Sequence, residues 1–532
     1  MRPTPLTALA AALLLAAASA AALLLADEGE RYAPKPFDAP SMGLGDLDGD
    51  GLPELVAQND DQRLYVISPV DGRILVTLET EYPDDWPVRS INSPVVADVD
   101  GDGKLDVVAV NSAAVACVFR HTGGTGPRMQ LERSWCSRAN EFDRFNAAGD
   151  GGAWVEDVDG DGKAEIFHQT ETFGVFAWDH DGSLRWSRNK TGGNAEPIVA
   201  DLDGDKRKEV LFFGDSGEVR VFDASTGDSR WAYWASGRGG VKPGSIPSAG
   251  AAGDLDGDGK KEVVVLARDA HDAENYTNDH LGVIVLGSGG TLRWMRQPEW
   301  GNPMSYTHPI LHDLDGDGRK DILAADWNTI GHIPGDWERL GPGHVFAYDA
   351  DGELLWMTTV DNSWSNDDLG LADADGDGDL EVLAVGFGPK GDGVWILDAA
   401  TGKKERHIPL PDGGTVLRGP VLGDWDGDGG LDLAASVHAG GRGGWIWTTP
   451  LDAPCKVAFG GFQVREPCGT EEALRAERAE AAEDERRRLA AEERRIASER
   501  RAAEAARLVG VLTLGVRGED GDLAAFNTLV RA

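Results

Sequence analysis

Short runs of apolar, mostly β-branched residues recur along this chain, each bounded by a polar turn. Pro94-Val95-Val96-Ala97 precedes one such turn and Val107-Val108-Ala109-Val110 follows it. Runs this short between turn residues predict buried strands, not helices. After a variable gap, each such pair is followed by two further apolar stretches joined by a turn of Asp, Gly and Ser or Thr. Val219-Arg220-Val221-Phe222-Asp223 with Ser229-Arg230-Trp231, and His344-Val345-Phe346-Ala347-Tyr348 with Glu353-Leu354-Leu355-Trp356, are examples. These read as hairpins, so the repeating unit is strand, polar turn, strand, hairpin, with four strands in all.

The polar turn is the same nonapeptide eight times, Asp-x-Asp-Gly-Asp-x-x-x-(Asp/Glu), starting at Asp46, Asp98, Asp157, Asp201, Asp254, Asp313, Asp373 and Asp424. Four carboxylates crowded into nine residues call for a hard divalent cation, and an oxygen-only set in a flexible glycine-containing loop suits Ca²⁺ better than the rigid octahedral shell of Mg²⁺. An EF-hand is excluded: its twelfth position is Ala57 or Ala109 here, and the flanks are strands. Ordinary Asp/Gly turn chemistry is the competing explanation, but eight copies in one register do not need it. Copies lie 44 to 60 residues apart, the size of a propeller blade. The expected fold is all-β, an eight-bladed β-propeller over residues 41–466; a stacked solenoid is the alternative, and neither end shows the polar cap it would need.

The loops, as in Asp98-Val99-Asp100-Gly101-Asp102-Gly103-Lys104-Leu105-Asp106, resemble those of FG-GAP and VCBS repeats in extracellular propellers, including the calcium-binding blades of integrin α-subunits. The resemblance implies side-chain ligands at positions 1, 3, 5 and 9 and a backbone carbonyl at position 7. The first three sets would be Asp46, Asp48, Asp50 and Glu54; Asp98, Asp100, Asp102 and Asp106; and Asp157, Asp159, Asp161 and Glu165. The fourth and fifth would be Asp201, Asp203, Asp205 and Glu209, then Asp254, Asp256, Asp258 and Glu262. The last three would be Asp313, Asp315, Asp317 and Asp321; Asp373, Asp375, Asp377 and Glu381; and Asp424, Asp426, Asp428 and Asp432. In the fourth loop Lys206 replaces a glycine where φ > 0 is wanted, so this site is expected to be the weakest. Up to eight structural Ca²⁺ ions follow.

These loops hold 32 of the 91 acidic residues behind a net charge of -40, a charge that leaves no basic face for a nucleic acid. Residues 1–26, an Ala/Leu-rich run after Arg2 with Ala18-Ser19-Ala20 near its end, read as a secretory signal; an uncleaved anchor is the alternative, and the only membrane contact expected. Either way the propeller, reached through a linker at 27–40, is expected to be secreted or at the cell surface. The four cysteines then read as disulfides, and of three connectivities sequence proximity favours Cys117 with Cys136 and Cys455 with Cys468. Residues 469–508 turn to Glu, Arg and Ala and read as a charged helix or weak coiled coil that would oligomerise weakly at most, before a tail at 509–532.

Meander topology puts the acidic loops and the hairpin turns on one face and the longer connections, 121–152 among them, on the other, the expected ligand face. Loop residues Trp86, Trp300, Trp327, Trp337 and Trp364 would stack on sugar rings or plug blade tops, while Trp186, Trp231, Trp294 and Trp356 recur at one hairpin position and read as packing. His308, Asp368 and Arg418 precede the innermost strands and would ring the channel mouth. Three functions fit: a calcium-loaded module binding an extracellular glycan or protein, a polysaccharide lyase of the rhamnogalacturonan-lyase type, or a structural surface protein. No compact His/Asn/Arg cluster marks the lyase, so binding is favoured and no catalytic residue is assigned.

Overall fold

The computed structural model describes residues 41–58, 63–68, 74–81, 93–139, 152–170, 174–188, 193, 195–214, 217–234, 250–269, 280–296, 308–326, 343–360, 369–386, 393–410, 415–424, 428–438 and 444–459. They form eight antiparallel sheets, six of four strands, one of five and one of three. These are the blades of an eight-bladed propeller, numbered here in chain order: 41–79, 95–138, 153–188, 198–234, 251–296, 310–360, 370–409 and 415–454. Among the described residues the only helical element is the short 3-10 turn Gly126–Arg128.

Each blade meanders outward from its first strand, and the first strand of blade 8, Thr415–Gly423, returns beside that of blade 1, Ser41–Gly45, which closes the ring. The apolar runs earn their burial between blades. Val95, Val108 and Val118 of blade 2 pack with Ile166, Phe176 and Trp178 of blade 3. Blade 1 meets blade 8 through Met42, Leu44 and Leu55 against Val421, Ala434 and Ile446. Because both faces of a blade are covered, its second strand reads as a continuous apolar run instead of an alternating one; Val263, Val264, Val265 and Leu266 are all fully buried.

The hairpin tryptophans form a series of latches. The indole N–H of Trp186 donates to the Ala224 carbonyl of the next blade at 2.9 Å, and Trp231, Trp294 and Trp356 do the same to Ser288, Ala350 and Ala399. Trp135, which the sequence reading did not place in this series, donates to His180 at 2.9 Å. Each indole lies over a turn glycine, and that residue has to be glycine: at Gly227 φ is +67° and a Cβ would come within 2.6 Å of the Trp186 ring.

Two expectations are corrected. Among the described residues blade 8 has three strands, not four: its third, Gly444–Pro454, ends at a proline that cannot donate to a ladder, and the chain crosses to blade 7, where Val457–Phe459 pairs with the innermost strand Gly370–Ala372. Segment 121–152 is not simply a ligand-face connection. Val115–Gly123 and Gln130–Arg138 form a hairpin whose tip lies on the acidic-loop side, with Gly126 N–H donating to Asp48 at 2.5 Å. The Cys117–Cys136 disulfide joins directly paired residues of that hairpin, as sequence proximity suggested. Cys455 is also disulfide-bonded; Cys468 lies outside the described residues. So do the segments expected as a signal or anchor, linker, helix and tail, and no helix among the described residues is long and apolar enough to cross a membrane.

Candidate metal centres

Each acidic loop joins the first strand of a blade to its second and is ordered by its own backbone. The position-1 carboxylate gathers backbone N–H groups of its own loop: Asp46 accepts from Gly49 at 2.7 Å, Gly51 at 2.9 Å and Asp50 at 3.1 Å, and Asp98 from Gly101 at 2.8 Å, Gly103 at 2.9 Å and Asp102 at 3.2 Å. At position 9 the acid sits at the start of the second strand and accepts the position-2 N–H, as in Leu47 to Glu54 at 2.9 Å and Leu255 to Glu262 at 3.0 Å. Positions 3 and 5 accept N–H groups two residues on, as Asp258 to Asp256 at 3.2 Å and Lys260 to Asp258 at 2.8 Å show. The loop is therefore held in shape with carboxylate oxygens converging. One oxygen from each of Asp46, Asp48 and Glu54, and likewise from Asp98, Asp100 and Asp106, lies within 4.8 Å of the others. Asp157, Asp159 and Glu165, Asp201, Asp203 and Glu209, and Asp254, Asp256 and Asp258 converge in the same way.

Burial makes these clusters costly without a cation. The position-9 residues Glu54, Asp106, Glu165, Glu209, Glu262, Asp321, Glu381 and Asp432 are all buried. Burial, then the neighbouring Asp48 charge, pushes Glu54 up to about 10. Burial likewise pushes Asp106, Glu165 and Glu381 up to about 7 and Asp321 to about 6. Like charges sharing a buried site hold protons unless a metal replaces them. The donor set, all oxygen and carboxylate-rich, fits a calcium ion. Asp50, Asp102, Asp161, Asp205, Asp313, Asp315, Asp317, Asp373, Asp375, Asp377, Asp424 and Asp428 occupy the matching loop positions; Asp426 lies outside the described residues.

Protein cations also reach these loops, a feature the sequence reading missed although an Arg-Trp pair recurs in it at 185–186, 230–231 and 293–294. Arg185 meets Asp159 at 2.6 Å and Glu165 at 3.1 Å, and Arg293 meets Asp256 at 2.5 Å and Glu262 at 2.8 Å. Arg120 lies 3.0 Å from Asp100. In the seventh loop Lys456, carried by the closing strand, lies 2.9 Å from Asp373 and, against the effect of burial, holds that carboxyl below its usual range.

The fourth loop departs as the sequence foretold. Lys206 has φ +71°, where the same position holds Gly51 at +97°, Gly103 at +85° and Gly162 at +84°. Lys206→Gly is expected to stabilise the protein by about 1 kcal/mol and to tighten the fourth site, read by thermal melting and metal titration.

On the opposite face a polar cluster gathers at the channel mouth. Glu196, just before the first strand of blade 4, accepts the Gly152 N–H at 3.1 Å, and its other oxygen lies 3.2 Å from His308 Nε2 of blade 6. Burial works against the Glu196 charge, yet His308 and the Gly152 N–H hold its carboxyl low. His308, expected to line the mouth, is thus buried and paired. His168 is enclosed between the carbonyls of Gly152 and Asn111, and burial pulls it down to about 4. In blade 6 the buried Asp326 accepts both the His344 backbone N–H at 2.6 Å and its Nδ1 at 2.9 Å. Arg418 lies in the strand Thr415–Gly423, while Trp86, Trp300, Trp327, Trp337, Trp364 and Asp368 lie outside the described residues.

Fold and loops together define an all-β propeller carrying a repeated acidic loop. Comparison with known families agrees: residues 46–109, 201–265 and 373–435 match the FG-GAP-like repeat, and each match runs from one acidic loop through the next. The chain thus carries FG-GAP-like repeats in three regions of an eight-bladed propeller. Among curated proteins, it is 27% identical over 289 residues to the rhamnogalacturonan exolyase YesX of Bacillus subtilis (strain 168), covering 50% of this chain and 42% of that one. The chain therefore spans less than half the length of that relative. Among solved structures, Sqt1 of Saccharomyces cerevisiae superposes with a TM-score of 0.53 at 13% identity, covering 79% of this chain and 98% of the other, a likeness of fold alone.

Proposed function

We propose that this chain is an exported, calcium-loaded propeller that binds an extracellular glycan or protein on the face opposite its acidic loops. The observation that carries the calcium part is the set of buried position-9 acids in loops shaped by their own N–H groups, where four carboxylates outnumber the one or two Arg or Lys side chains that reach some of the loops. Calcium there is structural: it neutralises carboxylates at the start of each second strand and ties folding to metal. The binding part rests on the asymmetry of the blades. The turns on the acidic-loop face are mostly short and internally bonded, whereas most of the strand ends on the other face are separated by the longer stretches of sequence, the usual division between scaffold and recognition surface. Nucleic acid is not a partner in this reading, and the membrane is reached only through the N-terminal segment if it stays attached.

A second reading, a lyase acting on a rhamnogalacturonan-like polymer, is favoured by the relative in Bacillus subtilis. Against it, three histidines at the channel-mouth face are committed to structural bonds: His168 to carbonyls, His344 to Asp326, and His308 to Glu196. The calcium-loaded protein should be presented with a glycan panel and incubated with pectic polymers in parallel. Saturable binding with no unsaturated uronide released supports the binding module. Release of unsaturated product that metal-loaded His308→Ala no longer gives would replace it with the lyase.

A further inference from the structure

A cavity of about 380 Å³ opens on the acidic-loop face between blades 2 and 3, away from the face assigned above. Its walls bring together Arg120, Trp135, Lys163, His180 and Asp181. One wall is the long hairpin of blade 2, fixed by the Cys117–Cys136 bond next to Trp135. The other is built from the third acidic loop and the hairpin turn of blade 3.

Two departures from the repeat set this cavity apart. At position 7 of the sixth loop, Arg319 is neutralised by Asp351 of its own hairpin turn at 2.7 Å. The counterparts in blade 3 are Lys163 and Asp181, but Asp181 is turned to the Ser183 backbone N–H at 2.9 Å and hydroxyl at 2.6 Å. Lys163 instead lies 3.1 Å from His180 Nε2, and no carboxylate among the described residues lies within ion-pair distance of it. The second departure is His180 itself. The other latch turns place Ala224, Ser288, Ala350 or Ala399 where blade 3 has this imidazole, so the latch needs only a backbone carbonyl there. The side chain is surplus to the fold.

We propose that this cavity is a binding site for a uronate sugar. Lys163, whose ammonium lies beside an imidazole and within ion-pair distance of no carboxylate among the described residues, takes the uronate carboxylate, and His180 supports it. Asp181 and the Arg120–Asp100 pair accept and donate to ring hydroxyls, and the indole of Trp135 supplies the apolar wall on which sugar rings pack. The site stands apart from the opposite-face reading, and either can fail without the other.

The test titrates glucuronate, and glucose as its uncharged counterpart, into the calcium-loaded full chain by saturation-transfer NMR. Glucuronate should bind saturably and glucose about tenfold more weakly, since one charge-assisted contact separates them. Lys163→Gln should weaken glucuronate about tenfold at an unchanged melting temperature, and His180→Ala, which restores the residue found in three other turns, should weaken it several-fold. Glucuronate that fails to bind, binds no better than glucose, or binds both variants like the wild type would overturn the assignment. A folded Lys163→Gln protein with intact binding would do so alone.

Discussion

Stripping divalent cations with a chelator is expected to lower the melting temperature by on the order of 10 °C or more. A site filled at a hundred times its Kd adds about 2.7 kcal/mol, and the chain has several such loops. The pH dependence should also change sign. In the metal-free protein Glu54 titrates at about 10 and Asp106, Glu165 and Glu381 at about 7, all above the unfolded carboxylate range near 4. Between those limits the folded state binds more protons than the unfolded one, so these groups stabilise the metal-free protein at low pH. Their contribution is lost as pH rises through 7 and toward 10. In the loaded protein protons compete with calcium, and acidification should weaken it instead. Parallel melts with and without metal at pH 5.5 and 8 read this directly; the same slope in both would mean that the loops do not hold the cation.

The second large effect concerns the latches. Trp186→Ala should destabilise the propeller by roughly 3–5 kcal/mol, as large aromatic deletions from a packed site do. Trp186 is buried, donates to Ala224, and packs against Phe167, Phe212 and Phe222 across the boundary between blades 3 and 4. Gly227→Ala attacks the same joint from the other side, because the new methyl group would meet the ring. Trp234→Ala is the contrast: that ring is 46% exposed and touched by Arg220, so its loss should cost below about 1 kcal/mol. Urea midpoints of the three variants provide the comparison, and equal midpoints for Trp186→Ala and Trp234→Ala would remove the latch from the account.

Much of this was legible in the chain because each feature repeats. The apolar runs at 95–97 and 107–110 became strands as their spacing required, and eight acidic turns counted out eight blades. The φ of Lys206 was readable from one missing glycine. Where the chain leaves its own rhythm, the sequence was a poorer guide. Residues 121–152 read in sequence as one irregular connection, since nothing local announces that 115–123 folds back on 130–138 with its tip over the first acidic loop. The repeat predicts a fourth strand for blade 8, whereas after Pro454 and the bonded Cys455 the chain crosses to blade 7. The Glu196–His308 contact joins blades 4 and 6 across the mouth, and residues 112 positions apart in the chain show no pattern that periodicity could detect. The arginines at the acidic loops stand in the sequence as Arg-Trp pairs, of which the hairpin position marks only the tryptophan as packing.

Metal content tests the central claim most directly. Purified chain, dialysed against trace calcium and analysed by mass spectrometry of its metal after unbound ion is removed, should hold about seven or eight Ca²⁺ per chain, one for each acidic loop. The vacancy, if there is one, should lie at the Asp201 loop and fill in Lys206→Gly. A chain that folds to the same melting temperature with no bound calcium would contradict the account.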